Sequence, residues 1–459
     1  MIPMSVGEIA DAVRGTCAHV DSATIVTDAI VDSGHAAPGA MFVAIAGERV
    51  DGHEFASAAF SGGACVALTS RALDGPCIVV DDPVLALGRL AHWVRVHRLQ
   101  CTVVGITGSS GKTSTKDLVA EVLACRGSTV AAAGSFNTEV GVPLTILRAD
   151  EATQYLVLEM GMRGAGHIQY LCDIALPSVG VLINVGLAHV GVVGSIEGVA
   201  RAKGEILEGL PREGFAVINA DDAAVVAQVG RTSASIVSFG TAGSSDVRAT
   251  DVRLDGQARP SFTLHHYDHA VPVSLLLHGE HSVHNALAAA AVGVCLGVPI
   301  EVIAAALRAA TPRSSWRMEV HESAEGWTIV NDAYNANPDS MRAALHALAA
   351  MGSGRRTWAV LGEMRELGDL SESQHEEVGR LVASLGIANL LCVGEATRPI
   401  ERACAQESST TRIMWASGPE EAIDLLRGEL AFGDVVLVKA SRSIGLERVS
   451  EALAPKDPS

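Results

Sequence analysis

The sequence predicts an α/β protein of three domains: a small N-terminal α/β unit, a central unit built on a parallel sheet behind a phosphate loop, and a C-terminal Rossmann-like unit. Three observations predict it. The 459 residues exceed what one domain of roughly 150 residues holds. Short apolar runs alternate with helical stretches along most of the chain, the pattern of parallel sheets covered by helices. The character of that alternation changes twice, near residue 98 and again at Thr311-Pro312-Arg313-Ser314-Ser315. The expected limits are therefore 1–98, 99–314 and 315–459.

In the first unit, apolar runs at 41–46 and 64–68 are set off by Gly47 and by Gly62-Gly63, as short strands between turns are. Apolar residues at helical spacing over 85–99 predict a helix that carries the chain out of this unit. The second unit opens with a β-rich run at 101–106, a glycine turn and a helix through Leu123. The runs at 155–158 and 179–183 are apolar on both faces, as strands buried in a parallel sheet are. A helix is expected over 196–210. The stretch 286–300 is the most apolar of the chain, but Gly293, Gly297 and Pro299 break it. It falls short of the ~20 residues a membrane span needs, so a buried helix is expected. In the third unit, runs at 358–361, 390–393 and 435–438 predict strands, with a helix at 376–385, in a smaller doubly wound arrangement.

Composition removes several classes of function. Hydrophobic residues make up 48% of the chain, enough to bury sizeable cores, so global disorder is excluded. The formal net charge of -18 repels phosphate backbones and disfavours nucleic-acid binding, while leaving room for a local site for a small phosphate ligand. The N-terminus carries Glu8, Asp11 and Arg14 rather than a basic segment before an apolar run, so no signal peptide is expected. Nine cysteines without a Cys-x-x-Cys pair read as reduced thiols of a soluble cytoplasmic protein with no membrane insertion.

The sharpest feature is Gly105-Ile106-Thr107-Gly108-Ser109-Ser110-Gly111-Lys112-Thr113-Ser114, between an expected strand and an expected helix. Glycines let the backbone wrap an anion, and successive amides with the helix N-terminus direct positive partial charge at it. Lys112 can reach the β- and γ-phosphates of a nucleotide, and the Thr113 hydroxyl can ligate Mg²⁺. The general spacing would place a glycine at 106, where isoleucine stands. A plain glycine turn with a chance Gly-Lys-Thr would leave strand, turn, lysine, hydroxyl and helix coinciding without cause.

Downstream, Glu159 ends the run 155–158, where ligands gather in open parallel sheets, and could meet the Mg²⁺ on Thr113. A second strand end leads into Asn184-Val185-Gly186-Leu187-Ala188-His189, and Lys203 follows in the helix expected over 196–210. A protonated lysine cannot ligate a metal, so a metal role for Lys203 would need a charge-reversing modification. Solvated strand-end charges and a surface lysine are the alternatives for these residues taken singly.

Together these residues resemble the Mur ligases of peptidoglycan synthesis, ATP-dependent amide-forming enzymes of three domains. Residues 105–113 have the family form G-x-[ST]-G-[ST]-x-G-K-[ST], including the spacing that departs from the general pattern. The resemblance implies that Glu159 and His189 are metal ligands and that Lys203, in Ala202-Lys203-Gly204-Glu205-Ile206, is carbamylated, giving an anionic oxygen ligand. Two stretches, Ser135-Phe136-Asn137-Thr138-Glu139-Val140-Gly141 and Asn331-Asp332-Ala333-Tyr334-Asn335-Ala336-Asn337-Pro338-Asp339-Ser340-Met341, are similar to the members that use D-alanyl-D-alanine. Pro38-Gly39, Asp51-Gly52-His53-Glu54-Phe55 and Val438-Lys439-Ala440-Ser441-Arg442-Ser443 fit the N-terminal UDP-binding and C-terminal domains of those members. In two places the chain departs from the family: Gly34 follows Asp32-Ser33 where an arginine is usual, and Ser282 stands for the first asparagine of His-Asn-x-x-Asn.

What the resemblance implies is a reaction in which the terminal carboxylate of a UDP-muramoyl-tripeptide attacks the γ-phosphate of ATP, and the amine of D-alanyl-D-alanine then attacks the acyl phosphate. Lys112, His189, Lys203 and Arg317 are the implied catalytic residues. ATP is expected on Gly108, Ser109, Ser110, Gly111, Lys112, Thr113, Ser114, Asn285, Arg317 and Asp332, and the other substrates on Ser33, Asn137, Thr138, Glu139, Tyr334 and Asn335. Two Mg²⁺ ions are implied, one on Thr113 and Glu159, the other on His189 and carbamylated Lys203, in a monomer. The loop and Lys203 do not separate this reading from a neighbouring Mur ligase or folylpolyglutamate synthase; Asn335-Ala336-Asn337-Pro338 and the N-terminal unit do. A non-catalytic nucleotide-binding protein would lack Glu159, His189 or Lys203, and all three are present.

Overall fold

The computed structural model describes residues 1–47, 50–188 and 190–454. Among the described residues the larger sheets number three, one for each expected unit. The N-terminal sheet runs Thr16–Ala18, Cys77–Val79, Val66–Thr69, Ala40–Val43, Asp28–Ile30, antiparallel at its first pairing and parallel beyond it. The C-terminal sheet runs Glu319–Glu322, Thr328–Asn331, Val435–Lys439, Thr357–Leu361, Asn389–Val393, Arg412–Ala416, again with one antiparallel edge.

The central sheet holds the phosphate loop. Thr102–Thr107 lies between Tyr155–Glu159 and Val179–Leu182, parallel to both. Parallel pairing continues through Phe215–Asn219 and Ser235–Gly240 to Val247–Leu254. There the sheet reverses: Pro260–His266 and His269–Ser274 add an antiparallel extension where the alternation of apolar runs had predicted parallel strands only. These edge strands bury one face and carry Arg248, Arg253 and His265 on the other, so no continuous apolar run marks them.

Helix Pro83–His97 joins the first two units. Asp82 caps it, its carboxylate accepting from the amides of Val84 and Leu85 at 2.7 and 3.1 Å, and Pro83 sits at the first helical position, where a missing N–H costs nothing. Its buried Leu87, Leu90, Ala91 and Val94 share one core with Met41 and Leu68 of the N-terminal sheet and with Val142, Ile146 and Leu171 of the central unit. Truncating such a core leucine to alanine costs about 2–5 kcal/mol. The apolar helix expected over 286–300 is His281–Cys295, followed by a second helix, Ile300–Ala309. The first begins earlier than expected: in its opening turn His281, Ser282 and His284 line a cavity, while Val283 faces the core. No described helix is long and apolar enough to cross a membrane.

Candidate active site

Strand register assembles the first wall of the site. Glu159 pairs with Ile106 and Leu182 with Thr107, so a carboxylate and the segment from Ile183 onward lie on either side of the phosphate loop. The loop ends at Gly111, whose φ of +76° is left-handed; a Cβ there would meet Asn285 Oδ1 at 2.5 Å, and glycine alone fits. Helix Lys112–Ala124 follows with no side-chain cap, so its first amides are free for an anion.

Within this wall the polar groups bond to one another. Thr113 Oγ1 donates to Glu159 Oε2 at 2.7 Å, and Asn137 Nδ2 donates to Glu159 Oε1 at 2.6 Å. Glu159 is buried, and these hydrogen-bond partners are neutral. Lys112 Nζ folds back onto Gly108 O at 2.8 Å. Burial above all lowers its pKa and Arg317 lowers it further, while Glu159 opposes both. Lys203 lies fully buried behind the loop with Nζ 3.0 Å from Gly108 O. Burial first, then the charge of Lys112, pushes its amine well below the usual lysine range, a shift that favours the uncharged form.

The second wall comes from the C-terminal unit. Arg317 lies with its guanidinium 4.0 Å from the centroid of the Tyr334 ring, a cation–π distance, and the Tyr334 hydroxyl meets Ser135 Oγ of the central unit. Trp316 and Met318, which flank Arg317, hold φ of +61° and +49°, a conformation that side chains other than glycine rarely adopt. Three hydrogen bonds keep it: Trp316 N to Glu319 Oε2, Met318 N to Asp332 Oδ1 and Tyr334 N to Trp316 O. Parallel pairing of Asn331 with Val438 brings Asp332 beside the buried Lys439, at 2.5 Å.

The walls enclose a cavity of about 940 Å³. Among the residues expected from sequence, Ser109, Ser110, Gly111, Lys112, Thr113, Ser114, Asn137, Thr138, Glu159, Asn285, Arg317, Asp332, Tyr334 and Asn335 line it. Gly108, within the loop, and Lys203, behind it, do not line the cavity. Glu139 lies off the cavity, bound to Arg163 at 2.7 Å and His167 at 3.1 Å. Ser33 is in a short turn of the N-terminal unit, away from the cavity. His189 lies outside the described residues.

The structure adds residues that the sequence reading left without a role. Asn184 Oδ1 accepts from the amides of both Ser109 and Ser110, at 2.8 and 2.9 Å; its position just past a buried strand was the available signal. Lys439 had a comparable one, a lysine ending the apolar run 435–438. Arg163 and His167 line the cavity without any local pattern that singles them out.

Against known proteins, residues 106–293 match the Mur ligase middle domain, 316–442 the Mur ligase, glutamate ligase domain, and 30–95 the Mur ligase family, catalytic domain. A Mycobacterium tuberculosis UDP-N-acetylmuramoyl-tripeptide--D-alanyl-D-alanine ligase is 42% identical over 503 residues, covering 100% of this chain and 99% of the relative. The chain belongs to the Mur ligase family. Among solved Mur ligases, a crystal structure of MurF from Acinetobacter baumannii superposes with a TM-score of 0.88 at 31% identity and covers 98% of both chains. MurF ligase from Thermotoga maritima in complex with ADP superposes with a TM-score of 0.79 at 31% identity, covering 93% of this chain and 97% of that one.

Proposed function

We propose that this Mur ligase joins D-alanyl-D-alanine to UDP-N-acetylmuramoyl-tripeptide at the expense of ATP, giving the UDP-muramoyl-pentapeptide of peptidoglycan synthesis. The observation that carries the reading is the single cavity lined at once by the phosphate loop, Glu159, Arg317 and the 332–340 segment. End-to-end similarity to ligases named for that activity supports it. The working unit is a cytoplasmic monomer of domains 1–98, 99–314 and 315–459.

The chain's own groups account for the chemistry. A carboxylate is a poor electrophile, and phosphorylation by ATP gives it a leaving group. Two anions must meet, so positive charge has to be concentrated where the phosphoryl transfers. Lys112, the amides from Gly108 to Ser114 and Arg317 from the facing wall supply it. Asn285 and Asp332 hold the nucleoside end, and each oxygen of Asp332 keeps accepting capacity beyond its present bond. Asn137, Thr138, Tyr334 and Asn335 orient the tripeptide and dipeptide, Glu139 sets Arg163 and His167, and Ser33 meets the uridine end.

Thr113 and Glu159 fit Mg²⁺, because a hydroxyl and a buried carboxylate with neutral partners converge there. The second site falls to Lys203 as a carbamate and to His189, as the family resemblance implies; burial of Lys203 favours the uncharged amine that adds carbon dioxide. Magnesium bound at these residues supplies charge neutralisation to the phosphoryl oxygens. Contact between the walls excludes water from the acyl phosphate.

The deciding experiment measures phosphate release from ATP with UDP-muramoyl-tripeptide, with and without D-alanyl-D-alanine, and identifies products by mass spectrometry. Release that needs both substrates and yields a pentapeptide species is expected. Turnover indifferent to D-alanyl-D-alanine would overturn the assignment.

A further inference from the structure

Ser109, in the middle of the phosphate loop, is held from three directions. Its amide donates to Asn184 Oδ1 at 2.8 Å, and its hydroxyl accepts from Gly186 N at 2.8 Å. Both partners belong to the central unit. Its carbonyl accepts from Asn337 Nδ2 at 3.2 Å, in a buried contact that crosses from the C-terminal unit.

Asn337 has a second task. It is the N-cap of helix Pro338–Met351: its Oδ1 accepts from Ser340 N at 2.9 Å, and its own N donates to Ser340 Oγ at 3.0 Å. The oxygen of one amide therefore caps a helix while the nitrogen clamps the loop. Asp and Ser cap helices about as well as Asn, but neither has an N–H to give to a carbonyl in this position. Capping alone leaves the choice of Asn open, and the clamp uses what only Asn offers.

The same helix start docks elsewhere on the central unit. Asp339 packs against Gly186, where an added Cβ would run into its carboxylate, and Gly191 N donates to Glu366 O at 3.3 Å nearby. Docking as such does not depend on Asn337. What Asn337 adds is a grip on the phosphate loop itself.

We propose that Asn337 is a positioning residue that couples the shape of the phosphate loop to docking of the C-terminal unit, so that the loop takes its phosphate-holding form when Arg317 and Asp332 stand opposite it. The inference rests on the ligase reading above. It extends it by assigning to one side chain the link between the two walls.

Two variants separate the roles, because Asn337→Asp and Asn337→Ser both keep a capping oxygen and lose the amide N–H that reaches Ser109 O. Asn337→Ser adds no charge near the phosphates and so controls for repulsion. Both variants are expected to melt with the wild type, while kcat falls on the order of 10²-fold, the scale of a misplaced active-site group, with KM for D-alanyl-D-alanine unchanged. Hydrogen exchange followed by mass spectrometry on the full chain without ligands gives a readout independent of turnover. Exchange in the 105–114 peptide should rise in both variants while helix Pro338–Met351 stays protected. Unchanged loop exchange, or equal loss of protection in the helix, would overturn the proposal and leave Asn337 a cap only. A wild type without dipeptide-dependent turnover would sink the ligase reading instead and leave the exchange result standing.

Discussion

The central wall of the cavity and the C-terminal wall solve the same electrostatic problem by different means. On the central wall, Lys112, Thr113, Glu159, Asn137 and Asn184 stand at the ends of adjacent parallel strands or at the loop between them, bonded to one another inside one unit. On the C-terminal wall, Arg317 rides on a backbone turn held by Asp332 and Glu319 and stacks on Tyr334. The first wall is organised largely by sheet register, with Asn337 of the facing unit gripping its loop. The second contributes its charge only as far as its unit is docked. Phosphate holding and charge completion are thus divided between two bodies, and the division makes completion of the site conditional on contact.

Removing Lys112 tests the first wall most severely. Lys112→Met should lower ATP turnover on the order of 10³-fold, since a cation on the transferring phosphoryl is lost. The melting temperature should hold, because the side chain's bond in this structure is to a loop carbonyl rather than to the core. Turnover near that of the wild type would break the comparison, for the preorganised wall would then not be the one that holds phosphate.

Lys203 comes next. Lys203→Ala should be inactive and partly rescued by short carboxylic acids that refill the carbamate's place; full activity in that variant would remove the modification. The sign of its pH linkage sharpens the test. With its folded pKa well below the unfolded value of about 10.4, the unfolded chain binds more protons between those two values. Unmodified enzyme therefore gains stability as pH rises through that window. In Lys203→Met the slope should flatten and the protein should be no less stable, because a desolvated amine gives way to an apolar group of similar volume. Chemical denaturation across the pH range would read this directly.

Arg317 probes the second wall and should show a smaller loss. Arg317→Ala is expected to reduce kcat by about 10-fold to 100-fold, against the larger loss for Lys112, because the loop and Lys112 still bind the phosphates. ADP affinity measured by calorimetry should change little. A collapse of ADP affinity would show that Arg317 belongs to phosphate holding, and that the two walls are not divided as described.

Much of this could be read along the chain. The strand–loop–helix context of residues 101–123 follows from neighbours in sequence, as does Glu159 at a strand end, because apolar runs, glycines and caps act over a few residues. The antiparallel strands from Val247 to Ser274 were not legible, since each buries one face and exposes charge on the other. Glu139 was expected to touch substrate and instead holds Arg163 and His167, a pairing across sequence that no local pattern announces.

Sequence alone determined where the phosphate loop lies, which helix it opens and which strand ends carry polar groups. Tertiary structure decided what those groups face. Asp332 meets Lys439 because two strands far apart in sequence pair in parallel. Lys203 carries a depressed pKa because its helix packs it behind the loop and out of water. Asn337 reaches Ser109 because one unit docks on another. Propensity and periodicity depend on neighbours along the chain, whereas burial, charge pairing and hydrogen bonding depend on what lies across the space between elements.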